Sequence, residues 1–207
     1  MSPFVIAGAV ATGVITLAIG TWIYMVSNVE TPEYAIVESD GAIEVRDYGP
    51  QRIAEIIMPG TRQQAVSRGF SPLAGYIFAK ERQGDKIAMT APVTQQAASD
   101  GSEWRVHFIM PDEYSLDDLP TPADARVTLK EIPSTRRAAI RFSGIANDKS
   151  IAEQEQRLRT WLQERDLFEG DQVPVYAYYN DPFTPPPLRR NEVMFLLNSN
   201  DAETPSS

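Results

Sequence analysis

Twice along this chain a pair of alternating strands leads into one capped helix and then into two further strands, and this order constrains the fold most. Residues 43–58 read as two strands around a turn at Tyr48-Gly49-Pro50, with Ile43, Val45, Ile53 and Ile57 marking their apolar faces. Gly60-Thr61 with Gln64 three residues on is a capping box, which predicts a helix over 62–68. Pro72 follows Ser71 at a first-turn position, so a second helical piece is predicted to residue 80. Phe70, Leu73, Ala74, Ile77 and Phe78 form its buried stripe. Lys86-Ile87-Ala88-Met89-Thr90-Ala91-Pro92-Val93 alternates as a strand ending at a sheet edge or bulge, because Pro92 cannot donate to a ladder. Trp104, Val106, Phe108 and Met110 mark the next strand, and residues 111–122 form an acidic, Pro-containing loop.

The second unit repeats the order without repeating the sequence. Residues 126–132 and 135–142 read as a hairpin around Pro133-Ser134. Ser150 with Glu153 is a capping box opening a helix to about residue 166, with Ile151, Leu158, Trp161 and Leu162 inward. Residues 173–179 and 192–198 are the last strands, joined by an extended turn at 182–187. Two such units would join their strands into one antiparallel or mixed sheet that curls, with two helices packed outside, an α+β fold.

Residues 3–29 contain no charged side chain, and 4–26 are almost continuously apolar or small. Such a run crosses about 30 Å of hydrocarbon as a helix, with Trp22 and Tyr24 at the interface. A buried core helix is one rival. A signal peptide cleaved at Ala18-Ile19-Gly20 is another, but the start carries no Lys or Arg and the apolar run continues past that site. The expectation is an uncleaved N-terminal transmembrane helix over residues 1–29, a domain over 30–198 and a polar tail over 199–207. The first basic residue is Arg46, while Glu30, Glu33, Glu38 and Asp40 follow the span, which suits an exported domain, periplasmic if the source is bacterial.

The net charge is -9 over 207 residues, which argues against a nucleic-acid partner. With no Cys, the chain has no disulfide, thiolate metal site or Cys nucleophile. No nucleophile elbow, zincin motif or phosphate loop occurs, and Asp112-Glu113 and Asp117-Asp118 lie in a polar loop without an apolar pocket to split their pKa values. The expectation is a binding protein with no catalytic residue and no metal-ligand set. His107 is the only imidazole, on the polar side of an alternating strand, read as solvent-facing or hydrogen-bonded. Met58, Met89 and Met110 could be thioether metal ligands or pocket lining, and Tyr76, Tyr176, Tyr178 and Tyr179 could stack on a planar ligand or ligate a metal, but all fit ordinary packing better. Arg189-Arg190 could clamp acidic groups, or order the closing turn beside Asp181 and Glu192, the reading preferred.

Four segments carry a resemblance. Residues 86–93 look like the signature strand of the SOUL haem-binding protein family. Glu44-Val45-Arg46-Asp47-Tyr48 is similar to its opening strand, residues 70–78 to its helix before the signature, and Leu188-Arg189-Arg190-Asn191-Glu192-Val193 to its closing motif. Together they span residues 33–198. The resemblance implies a distorted eight-stranded β-barrel of two pseudo-repeated halves with two flanking helices. It also implies non-covalent binding of haem or another tetrapyrrole against the first helix, by apolar contacts and nearby basic groups. The matching face holds Ser67, Phe70, Ala74 and Gly75, and the candidate contacts are Phe70, Ala74, Arg68, Ile77 and Met89. A different amphipathic small molecule, or an enzyme acting on one, are the other readings.

Overall fold

The computed structural model describes residues 29–98, 101–167 and 172–197. The expected anchor over 1–28 and the polar tail lie outside them. Among the described residues no helix is long and apolar enough to cross a membrane.

The elements are β1 (Tyr34–Asp40), β2 (Ile43–Tyr48), β3 (Gln51–Pro59), α1 (Arg62–Ile77), β4 (Val93–Ala97), β5 (Glu103–Ile109), β6 (Thr128–Ile132), β7 (Thr135–Phe142), α2 (Asp148–Gln163), β8 (Val175–Tyr178) and β9 (Asn191–Leu197). A short 3-10 turn, Pro186–Leu188, precedes β9. All strands join one sheet in the order β1-β2-β7-β9-β8-β4-β5-β3-β6, and every neighbouring pair is antiparallel.

Eight of these strands are related by a pseudo-twofold between β8 and β4, as the repeated order implies. The sheet nevertheless has nine strands, not eight. The extra one, β1, is largely exposed and pairs with β2 alone, reversing at Gly41, whose φ of 61° suits a residue without a Cβ. The ladder order is open, with β1 and β6 at its ends, so the sheet is a curled half-barrel.

The pairing differs from the expected hairpins. β2 does not pair with β3, nor β6 with β7. Instead β2 pairs with β7 and β3 with β6, so the halves interlock. Tyr48 faces Thr135 and Gln51 faces Ile132, which sets the two corners opposite each other. Pro50 and Pro133 occupy those corners, where a residue without an N–H lets the ladder break and the sheet turn.

The Thr61 capping box forms as expected. The Gln64 N–H donates to Thr61 Oγ1 at 3.3 Å and the Thr61 N–H to Gln64 Oε1 at 3.2 Å. One helix then runs unbroken through Pro72, instead of two pieces. An interior Pro costs about 3 kcal/mol, but Ala65, Gly69, Leu73, Tyr76 and Ile77 bury a continuous stripe that holds the helix to the sheet. At Gly69 the approach is close: a Cβ would lie 3.1 Å from Ile56 Cγ2. α2 starts three residues earlier than expected. Asn147 is its N-cap, accepting from the Ser150 N–H at 2.9 Å, and the Ser150 hydroxyl donates to the Ile145 carbonyl at 2.8 Å.

Residues 86–92 are not a strand. The ladder starts at Val93, after Pro92, and Ala91–Pro92 is cis. Ile87 and Thr90 are buried, Met89 is partly exposed, and the Thr90 hydroxyl bonds the Ile109 carbonyl.

The two helices cover one face of the sheet, α1 over β3 and β5, α2 over β7 and β9. Leu73 and Ile77 pack with Ile56, Val106 and Phe108 in the first core, and Leu158 and Leu162 with Ile140, Val193 and Phe195 in the second. By register, the opposite face carries Arg46 and Tyr48 of β2, Arg137 of β7, Glu192 of β9, Thr94 of β4, His107 of β5, and Gln51 and Glu55 of β3. This is the concave side, which no helix covers.

Candidate functional site

The outward face of α1 is the first candidate surface. Arg68, Ser71, Pro72 and Gly75 follow at three- and four-residue spacing and share one stripe. A cleft of about 370 Å³ opens along it, lined by Ser71, Gly75, Tyr76, Lys80 and Arg126 among others. That volume lies within the usual range for small-molecule sites, roughly 300–1,000 Å³. A Cβ at Gly75 would meet nothing within 4 Å, so the helix backbone itself is approachable there.

Phe70, two residues from both Arg68 and Pro72, lies off this stripe, on the side of α1 that meets the sheet. It is 40% exposed and meets Phe108 edge-on, with ring centroids 5.3 Å apart. Phe78 and Met89 are similarly half-exposed, and the Ile87 N–H donates to the Ile77 carbonyl at 2.8 Å, tying the chain before Met89 to the end of α1. Arg68 and Lys80 are exposed and have no ion-pair partner among the described residues. Arg82 is committed locally, donating to the carbonyls of Tyr76, Gln83 and Asp85. Ala74 and Ile77, both expected as contacts, are buried in the first core. They set the position of the face and do not line it.

The other sequence candidates resolve into packing. Met58 and Met110 are core residues beneath α1. Tyr76 donates to the Pro120 carbonyl at 2.9 Å, and burial pushes its pKa up to about 12. Tyr176 donates to Glu155, Tyr179 to Glu192, and Tyr178 accepts from Arg62. Arg190 pairs with Glu192 at 2.8 Å, as preferred, while Arg189 braces the turn through the Thr184 and Pro182 carbonyls.

What the sequence reading missed is the concave face. Glu192 is fully buried there and accepts from Arg46 Nη1 at 2.8 Å, Arg46 Nη2 at 3.1 Å, Arg190 Nε at 2.9 Å and the Tyr179 hydroxyl at 2.9 Å. Burial opposes its charge, but the two guanidinium groups outweigh that and hold its pKa below the usual carboxylate value. Arg46 also bonds Glu44 at 2.7 Å and stacks 4.4 Å from the Tyr34 ring centroid. His107 is neither solvent-facing nor fully bonded. It is 9% exposed, its Nδ1 is buried without a partner, and burial with the charges of Arg137 and Lys130 lowers its pKa to about 3.

Comparison with known proteins supplies the family. The sequence profile of the SOUL heme-binding protein family matches residues 29–196, most of the chain. The chain belongs to the SOUL family. Two relatives are both called heme-binding protein 2. The mouse protein, from Mus musculus, is 27% identical over 78% of this chain and 80% of its own length, and the Homo sapiens protein 27% identical over 84% and 88%. Among solved structures, the fold is similar to the EcmrR C-terminal domain at TM-score 0.56 and 11% identity, covering 80% of this chain and 98% of that domain. A hydrolase from Listeria innocua gives TM-score 0.56 at 11% identity, covering 78% and 94%. At such identity these two likenesses concern the fold alone.

An amphipathic macrocycle needs an approachable apolar surface with cations at its rim. Half-exposed Phe70 and Met89 offer the first, while Arg68, two residues before Phe70, is turned to another side of the helix.

Proposed function

We propose that this domain binds haem or another tetrapyrrole non-covalently on the exposed face of α1, and performs no catalysis. The observation that carries the reading is a half-exposed Phe70, braced by Phe108, in a chain of the SOUL heme-binding family. The macrocycle would rest on Phe70, with Met89 beyond the helix end, held by apolar contact. No iron ligand is needed: His107 lies on the opposite face of the sheet from α1. A Soret titration with haemin and with metal-free porphyrin tests this. Both should bind within about tenfold of each other. Phe70→Ala should weaken binding by about 1–2 kcal/mol, since part of one large apolar contact is lost, and His107→Ala should leave it unchanged. If His107→Ala abolished the Soret shift while Phe70→Ala did not, an axial-histidine site would replace this one.

The reading extends to location. The uncharged run over 3–29 suits an uncleaved membrane anchor with the binding domain exported, periplasmic in a bacterium. Intact mass of membrane-extracted protein is expected to include the N-terminal segment. A mature terminus near Thr21 would sink the anchor.

A further inference from the structure

We propose that the concave face of the sheet is a second binding site, for a small oxyanion held between Arg137 and His107. It is separate from the tetrapyrrole surface, because the two lie on opposite faces of the sheet.

Arg137 belongs to β7 and is 9% exposed. Its Nε donates to Thr135 Oγ1 at 3.0 Å and its Nη2 to Gln51 Oε1 at 3.3 Å, and its guanidinium lies 4.9 Å from the Tyr48 ring centroid. Nη1 has no acceptor among the described residues, and no carboxylate lies within ion-pair distance. The carboxylates of this face are already engaged. Glu192 serves Arg46 and Arg190, Glu44 serves Arg46, and Glu55 accepts from Lys130 Nζ at 2.5 Å. A largely buried cation without a counter-charge favours a bound anion beside it. Gln51 opens β3 just past the corner after Tyr48, and Tyr48 faces Thr135 of β7, so this bond holds the guanidinium at the corner end of the concave face.

His107 supplies the second group. Its strand neighbours Val106 and Phe108 pack under α1, so its ring points to the concave side, between Thr94 of β4 and Glu55 of β3. The unpartnered Nδ1 can carry the proton and donate to an oxyanion. Buried polar atoms without a partner are rare in folded proteins, and this one shares an interior with an unpaired guanidinium whose charge reaches it. Ala139, Ala177 and Met194 form a small apolar cluster on the same face, which suits an anion carrying a short apolar body. The shared chemistry is that of a planar or tetrahedral oxyanion, a small carboxylate or inorganic phosphate.

The chain has one histidine, so one imidazole Cε1–Hε1 resonance reports the site in the full chain. Acetate and inorganic phosphate are titrated separately at about neutral pH over a chloride background, up to roughly 0.1 M, where screening begins to dominate. A saturable shift with at least one of them is expected, and the tighter one names the source. Arg137→Gln should weaken it roughly tenfold or more, the loss of a charge-assisted contact. Arg137→Lys, which keeps the charge without the fork, should weaken it less. Phe70→Ala should leave it unchanged while weakening the Soret response, so the two sites can fail independently. The proposal is overturned if neither anion saturates, if affinity is unaltered in whichever Arg137 variant folds, or if Phe70→Ala abolishes the shift.

Discussion

Glu192→Gln is expected to cost the fold about 3–5 kcal/mol, the range seen when one partner of a buried ion pair is removed. The wild-type carboxylate is fully buried and accepts four hydrogen bonds from Arg46, Arg190 and Tyr179. An amide of the same shape keeps one acceptor oxygen and turns an NH2 toward the guanidinium groups. Arg46, itself 2% exposed, then keeps only the half-buried Glu44 as counter-charge. Arg190 has more solvent and can turn outward, so the penalty falls mostly on Arg46. Urea denaturation gives the measurement, with the shift read in the midpoint at constant slope. Replacing both members, as Arg46→Met with Glu192→Leu, should cost less than Glu192→Gln alone, because no strongly buried charge is left unpaired. A Glu192→Gln protein within about 1 kcal/mol of wild type would mean the network does not hold the concave face together.

This network shows where the sequence was readable and where it was not. The caps were local statements: Thr61 and Gln64 bond each other as their spacing implies, and only the α2 start moved, because Asn147 competes with Ser150 for the same N-terminal turn. The repeated order carried through to a pseudo-twofold sheet. Strand partners were not legible, since alternation tells which face a side chain takes and not which strand lies beside it. The corners at Pro50 and Pro133 therefore read as hairpin turns. β1 escaped notice because Glu38 and Asp40 make it look like a polar flank. On α1, Phe70 was legible as a contact, but the buried stripe is centred on Gly69, Leu73 and Tyr76, which leaves Phe70 and Phe78 half-exposed and takes Ile77 into the core. The concave face was hidden for a different reason. Arg46, Arg137, His107 and Glu192 each alternate with core residues, the pattern of a solvated strand face. Only the curl of the sheet turns that face inward, and curl is set by strand order and the two corners, not by any single segment.

Stability is expected to fall by about 2 kcal/mol between pH 7 and pH 5, through His107 alone. In the unfolded chain the imidazole takes up its proton near pH 6.5. In the fold, burial first, then the charges of Arg137 and Lys130, push that event down to about 3. Across the window between those values the unfolded chain binds one more proton than the native one. Stability therefore rises with pH from about 3 to 6.5 and is lost as pH falls through the same range. Other groups facing the ring do not blur the upper part of this window. Thr94 does not titrate, and the two guanidinium groups that hold the Glu192 pKa down place its contribution below its unfolded value near 4.5. The chain has no second histidine to add a slope of its own. The measurement is the urea midpoint at several pH values in a cationic buffer such as bis-tris, which offers no oxyanion. His107→Phe should flatten the profile above pH 5 to within about 0.5 kcal/mol. Adding acetate should flatten the wild-type profile as well, because an anion beside Arg137 would ease protonation of the neighbouring ring in the native state. A wild-type slope identical to that of His107→Phe would show that the imidazole is not buried among cations, and would remove one of the two groups on which the oxyanion site rests.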